Sequence, residues 1–456
     1  MNPCQEEIPD EIPIKRFDAT FLIDDAEKAL SFVHESTQSG DVGLISKCLI
    51  WITLLLSELP RDLKDAETGL PLYPEELIDR ILAQVSILYI ADCTPACSID
   101  SIEALVLQYE LFISIGRPSR AWKCIRAGIE NAMLLGLHLP RQRRLYGGVW
   151  DSLWVRDRQI SLILGLPYTV PENLTLKTAG DRHSNPELEA LRRIASISGC
   201  ISDRDRMRQD TPFNTMTRIV EEMRELKLMI PDERGIEAIN SASYSILRLF
   251  KHSLNMMIHL PYSQFAGYDK QFEYTRVEVL ESAEGAIQAH RDIRGMQDKP
   301  VKCDLYDFLA FNAAVILVAD LAAKETPRST GEEQRVWNTI TEFASRLRKI
   351  SEVIDNATAD QAAEVLENLH TACKGRFRGQ FQVVIPYFGL LKIRSTENLQ
   401  EAETPKIIVQ LESSVYTFRT PAEHLTEKEL AGDWSAEIEH ELNYGWRGVY
   451  EFPSLV

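Results

Sequence analysis

Four side chains in this sequence have the types and spacing for moving protons. His252 and His259, in "KHSLNMMIHLPY" (251–262), stand seven residues apart, two turns along one helix face, and Tyr262 follows three residues later. Asp157 comes eight residues after Val149, on the same stripe of an otherwise apolar helix face. An imidazole that titrates near neutrality, a carboxylate forced among apolar neighbours and a phenol are the groups an enzyme uses for acid–base work. If the chain is an enzyme, these four are its catalytic candidates. A metal site is not expected. Two histidines seven apart need a third ligand from elsewhere, and Cys93-x3-Cys97 has no second pair. A packed helix face accounts for the two histidines more simply.

Other chemistry is missing from the pattern. No glycine-rich phosphate loop opens a helix, there is no G-x-S-x-G elbow, and "EIEHEL" (437–442) holds one histidine rather than a metalloprotease pair. No cofactor is expected.

The elements that must position these residues are helices. "SIEALVLQYELFISIGRP" (101–118) places Ile102, Leu105, Tyr109, Phe112 and Ile113 on one face; Gly116 stops it and Pro118 prevents its resumption. In "AWKCIRAGIENAMLLGLHLP" (121–140), Trp122, Ile125, Ile129, Ala132 and Met133 point inward, and Gly136 ends the helix. The small Ala121, Ala127, Gly128 and Ala132 allow close approach of a neighbour. His138 follows that helix end, where an imidazole can meet the terminal carbonyls, and is read as structural. A third helix is expected over 143–165, with Asp157 paired to Arg156, Arg158 or Arg144, because a lone carboxylate on an apolar face costs several kcal/mol. Further helices are expected over 41–59, 75–92, 186–200, 211–228, 236–260, 275–295, 304–325, 333–354 and 359–373.

The expected fold is all-α: an array of antiparallel αα-hairpins over 40–375, preceded by an acidic arm (1–39). A C-terminal arm that is irregular or a single hairpin, with an acidic aromatic-containing tail, is expected over 376–456. From Glu397 on, twelve acids face four bases, with Trp434, Tyr444 and Trp446 among them.

Composition sets the outer bounds. With 45% hydrophobic residues the chain can bury a large core, and a formal net charge of −18 opposes direct specific binding of DNA, which needs clustered Lys and Arg. "CLIWITLLL" (48–56) and "AAVILVADLAA" (313–323) are too short to span a bilayer, so no membrane is expected. The N-terminus has no secretory pattern. The eight cysteines are read as free thiols. The expected location is intracellular, nucleus or cytoplasm.

Residues 121–140, followed by "WDSLWVRDRQISLILGLPYTVPENL" (150–174), resemble the middle homology region of fungal zinc-cluster transcription factors. Trp122, Gly136, His138, Asp157, Arg158, Gly165 and Pro167 stand at the family's motif positions, and His252, His259 and Pro261 resemble a later helix. The resemblance covers about residues 40 to 375. It implies a structural His138 and an Asp157–Arg158 pair that holds the third helix in register. Family members carry a six-cysteine zinc cluster; here only Cys4 precedes Cys48. Leu166 and Leu260 replace the usual arginines of two proline motifs, and Asp151 stands where an aromatic is common.

The function expected is a transcription-factor-like regulator of a fungal secondary-metabolic pathway, without its own DNA-binding module. It would act through a protein partner, such as a DNA-binding factor or co-regulator, or a small-molecule effector. The alternative is a repurposed scaffold acting as a cofactor-free cyclase or isomerase through Asp157, His252, His259 and Tyr262.

Overall fold

In the computed structural model the described residues are 26–57, 59, 72–91, 98–171, 186–206, 213–232, 242–263, 273–295, 304–323, 329–354, 357–373, 380–385, 389–395 and 407–412. They form an all-α fold with one small sheet. The helices are α1 (Ala26–Ser39), α2 (Val42–Ser57), α3 (Pro74–Ala91), α4 (Ile99–Ser114), α5 (Pro118–Leu134), α6 (Pro140–Leu164) and α7 (Pro186–Arg206). Then come α8 (Phe213–Met229), α9 (Ala242–Ser263), α10 (Glu273–Gly295), α11 (Asp304–Ala323), α12 (Thr330–Ile354) and α13 (Ala357–Cys373).

Local chemistry explains where these helices begin and end. Ser98 caps α4, its side chain accepting the Ser101 N–H at 3.1 Å. Ser329 and Glu332 make a reciprocal capping box on α12. At the end of α5, the Leu137 N–H bonds the Ala132 carbonyl and the Gly136 N–H bonds Met133. At the end of α6, Leu166 and Gly165 repeat this on Ser161 and Leu162. Both turns need a left-handed residue, and Gly136 (φ 74°) and Gly165 (φ 65°) supply it without a Cβ penalty.

Consecutive helices pack on one another, most extensively α9 on α10, α4 on α5 and α12 on α13, and α2 packs on α4 across the sequence. Gly128 makes one of these approaches possible, since a Cβ there would meet Leu153 of α6 at 2.8 Å. The inward faces expected for α4 and α5 are buried at Ile102, Leu105, Tyr109, Phe112, Ile113, Ile125, Ile129 and Ala132. Helix α11 runs through the centre: Phe308 to Phe311 and Ala313 to Val318 are all buried. No helix among the described residues is long and apolar enough to cross a membrane.

Three expectations are corrected. The third helix begins at Pro140, where proline suits a first turn, and is kinked at Tyr146 (φ −126°, ψ 23°) rather than starting at 143. Helix α1 falls inside the stretch read as an arm, and its Phe32 ring meets Trp51 of α2 edge-on at 5.8 Å. The C-terminal arm is a three-stranded antiparallel meander, one strand more than a hairpin: β1 (Gln380–Ile385), β2 (Gly389–Ser395) and β3 (Ile407–Glu412), in the order β1-β2-β3. The tail beyond 412, with its tryptophans, lies outside the described residues, as do Cys4, Cys93, Cys97 and Cys303.

Candidate functional site

The motif residues surround a bend of the chain. Asp157, on α6, is fully buried. Its carboxylate accepts the backbone N–H of Thr169 at 2.6 Å and of Val170 at 3.3 Å, and Arg126 of α5 lies 3.7 Å away. Burial pushes the Asp157 carboxyl up from its ordinary value, against the Thr169 amide and Arg126, which favour the ionised form. Arg126 also donates to the Pro167 carbonyl and lies over the Trp122 ring, 4.4 Å from its centroid.

Of the expected partners, Arg156 and Arg158 do not pair with it. Arg156 goes to Glu110 at 2.6 Å. Arg158 makes no ion pair with Asp157; it is 1% exposed, sandwiched over the rings of Trp154 (4.8 Å) and Tyr168 (4.2 Å), and donates to the Val170 carbonyl at 3.3 Å. Its guanidinium lies on Gly199 of α7, where a Cβ would collide with it. The side chain of Arg144 lies outside what is described. His138 is half buried, and its ring packs beside Trp150, 6.1 Å between centroids. The carbonyls it was expected to meet are taken by the Gly136 and Leu137 amides.

The acid–base candidates are not brought together. No hydrogen bond or ion pair among the described residues links Asp157 to the histidines of α9, and the two histidines have separate surroundings. His259 is 3% exposed, edge-on to Tyr274 at 5.8 Å, and burial lowers it to about 4, so it is neutral near pH 7. Tyr262 sits half buried in the last turn of α9. The helix continues past Pro261, which lacks the N–H that Met257 would receive. Arg204 of α7 replaces it, donating to the carbonyls of Met257 and Ile258 at 3.0 Å each. No cluster of metal-ligating side chains occurs among the described residues.

His252 does reach a cavity. A cleft of about 390 Å³ lies between α9, α10 and α12. From α9 come Arg248 and His252; from α10 Glu281, Glu284, Gly285, Gln288 and Arg291; from α12 Arg335, Thr339, Glu342, Phe343 and Arg346. The His252 ring lies against Gly285, where any Cβ would strike it. At the cleft edge, just beyond α8, Asp232 gathers two cations and an imidazole: Lys251 at 2.6 Å, Arg248 at 3.4 Å and the His252 Nε2 at 2.9 Å. Burial works to raise the Asp232 carboxyl, but the bonds from His252 and Lys251 outweigh it and hold it well below the ordinary range. Burial pushes His252 down despite that carboxylate.

One side chain away lies a sealed cluster of the same types. His290 of α10 and Asp307 of α11 are bonded at 2.6 Å, and Arg294 adds bonds of 2.7 and 2.6 Å to the two carboxylate oxygens. His290 and Asp307 have no exposed surface. Phe343 separates the two clusters: it lines the cleft, and its ring meets His290 edge-on at 5.2 Å. Sequence reasoning missed the sealed cluster and the cleft's arginines. The signal was a row of polar residues at helical spacing on α12 (Arg335, Thr339, Glu342, Arg346), which reads equally as a solvated face.

No family model matches the chain. It is 24% identical over 429 residues to the dehydrocurvularin biosynthesis regulator of Aspergillus terreus, covering 80% of this chain and 58% of that protein. To the regulator of the same name from Alternaria cinerariae it is 21% identical over 411 residues, covering 77% and 53%. To a probable transcription factor of Penicillium aethiopicum it is 22% identical over 307 residues, covering 60% and 44%. The chain thus spans about half the length of the curated relatives it matches. At this low identity, it fits a regulator-like family whose relatives are named as fungal transcription factors or regulators of secondary-metabolite biosynthesis.

Proposed function

We propose that this chain is a regulator of a fungal secondary-metabolic pathway, and that residues 40 to 375 are its middle homology region, which receives a signal rather than reading DNA. The single observation that carries this reading is the alignment over 429 residues with a biosynthesis regulator. A match across 80% of the chain extends well beyond one shared motif. The formal net charge of these 456 residues, −18, opposes an unassisted grip of this segment on DNA, which supports a reading in which it acts on a protein partner or a small effector. The nucleus is the place where this role is exercised.

The geometry supports this reading over the cyclase or isomerase. Asp157 is spent on two backbone amides and an arginine, His259 is buried against Tyr274, and neither lines the cleft. General acid–base catalysis needs its groups within hydrogen-bond reach of one bound substrate, and of the four candidates His252 alone lines this cleft.

Transcript profiling of a strain lacking this chain separates the two. A regulator gives a coordinated fall in the transcripts of one biosynthetic gene cluster. Unchanged transcripts, with loss of one product and accumulation of its precursor, would mean an enzyme.

A further inference from the structure

The charges of the cleft do not all find partners inside it. Arg335 pairs in two-pronged fashion with Glu284 (2.9 and 3.0 Å), Arg248 meets Asp292 at 2.7 Å, and Arg291 has Glu342 at 3.6 Å. Arg346 is the exception. It lines the cleft from α12, is half buried, and makes no hydrogen bond or ion pair among the described residues. Burial and the neighbouring Arg291 both push its guanidinium down from the ordinary value, only partly offset by Glu342 and Asp292. A guanidinium keeps its proton, so a partly desolvated charge is left facing an open cavity, and that state costs free energy until an anion arrives.

We propose that this cleft binds a small organic carboxylate, its carboxylate on the guanidinium of Arg346 and its apolar body over Ile287 and Phe343. Four features choose that chemistry. The guanidinium fork matches a planar carboxylate in two-pronged geometry. One unpaired cation balances one negative charge; a second charge, as on phosphate, would face Glu281, Glu284 and Glu342 on the same walls. Ile287 and Phe343 provide apolar floor between the charged rims. The volume of about 390 Å³ is at the lower end of the range for small-molecule sites, roughly 300–1,000 Å³. The proposal rests on the regulatory reading above, in which such a carboxylate is the effector.

The test is calorimetric titration of the full chain with benzoate, with benzamide and inorganic phosphate in parallel. Saturable binding of benzoate at one site is expected, with benzamide and phosphate at least about tenfold weaker, a difference of about 1.4 kcal/mol. Arg346→Gln should weaken benzoate by about tenfold or more, and Arg346→Lys, which keeps the charge but loses the fork, by less. Arg348→Gln is the control: Arg348 lies on the same helix but pairs with Asp360 and Glu367 instead of lining the cleft, so benzoate binding should not change. Melting curves check that each variant folds; should Arg346→Gln fail to fold, the Lys variant and the three-ligand comparison still decide. Absence of saturable benzoate binding, retention of full affinity in Arg346→Gln, or phosphate binding as tightly as benzoate overturns the proposal. The titration involves no transcript, so a failed titration alongside intact transcriptional control removes the ligand and leaves the regulator.

Discussion

The open cluster at Asp232 and the sealed cluster at Asp307 are built from the same parts: a carboxylate, a histidine bonded to it and an arginine. In both, burial works to raise the carboxyl and the histidine bond with the neighbouring cations outweighs it, so both aspartates are held below the ordinary value. In both, burial drives the histidine down and keeps it neutral near pH 7. What differs is access to water. The Asp232 side chain is 51% exposed at the cleft edge, whereas Asp307 has no exposed surface and its partner Arg294 only 4%. Similar chemistry therefore serves two ends. A closed network ties α10 to α11 and can exchange partners only by unfolding, while an open one can trade a protein contact for a ligand or a solvent contact.

The largest effect that would test this contrast is Asp307→Asn. Removing the charge takes the counter-ion from the buried Arg294 and the carboxylate from His290, and breaking a buried pair in this way costs about 3–5 kcal/mol. A urea unfolding midpoint close to the wild-type value would show that the network is not what joins α10 to α11. Asp157 is a third carboxylate and belongs with the sealed kind, although backbone amides hold it rather than a histidine. Asp157→Ala leaves the Thr169 and Val170 amides without their acceptor and Arg126 without its counter-charge, at a cost of roughly 3 kcal/mol. Wild-type melting of that variant would release Asp157 from a purely structural role.

Most of the helical frame could be read before the fold, because its determinants are local. Gly136 and Gly165 end their helices through bonds within six residues, and the buried faces of α4 and α5 follow from period alone. The burial of Asp157 was legible for the same reason. Its partner was not: Arg126 belongs to another helix, and nothing in its own neighbourhood distinguishes it from Arg120 or Arg117. The cleft was least legible of all. Arg335, Thr339, Glu342 and Arg346 form the polar side of an amphipathic helix, and only the packing of α9, α10 and α12 turns that side towards a cavity. Nor was the pairing of β3 with β2 legible, since it joins two segments that are apart in the sequence.

Acid titration sharpens the comparison, because a buried histidine without a carboxylate bond behaves differently from both clusters. His259 has its folded value lowered from 6.5 to about 4 by burial, with Lys227 and Arg204 adding to the effect and Glu278 opposing it. Between those values the unfolded chain binds the proton and the folded one does not. Its contribution to stability is therefore full above pH 6.5 and declines as pH falls towards 4, by up to about 3 kcal/mol. His259→Gln should flatten the stability profile by that amount in that window and leave it unchanged above pH 7. An equal slope in the variant would mean that the acid sensitivity belongs to His252 and His290 instead.

The smallest effect is expected at the open cluster itself. Asp232→Asn removes the negative charge shared by Lys251, His252 and Arg248 while keeping an acceptor oxygen, and the cost to folding should be no more than about 1 kcal/mol, because water and salt reach a half-exposed carboxylate. Arg248 keeps its 2.7 Å pair with Asp292, and Lys251 keeps its 3.0 Å bond to the Ile230 carbonyl, so neither is abandoned in the interior. His252 is already neutral and loses a hydrogen bond rather than an ion pair. The change should appear less in stability than in the cleft, whose edge becomes one negative charge poorer and so more favourable to an anion. Side-by-side urea melts of Asp232→Asn and Asp307→Asn decide the matter in one experiment. Equal losses would make the cleft cluster as much a part of the fold as the sealed one. A small loss at 232 beside a large one at 307 is what solvent access predicts for two clusters of the same chemistry with Phe343 between them.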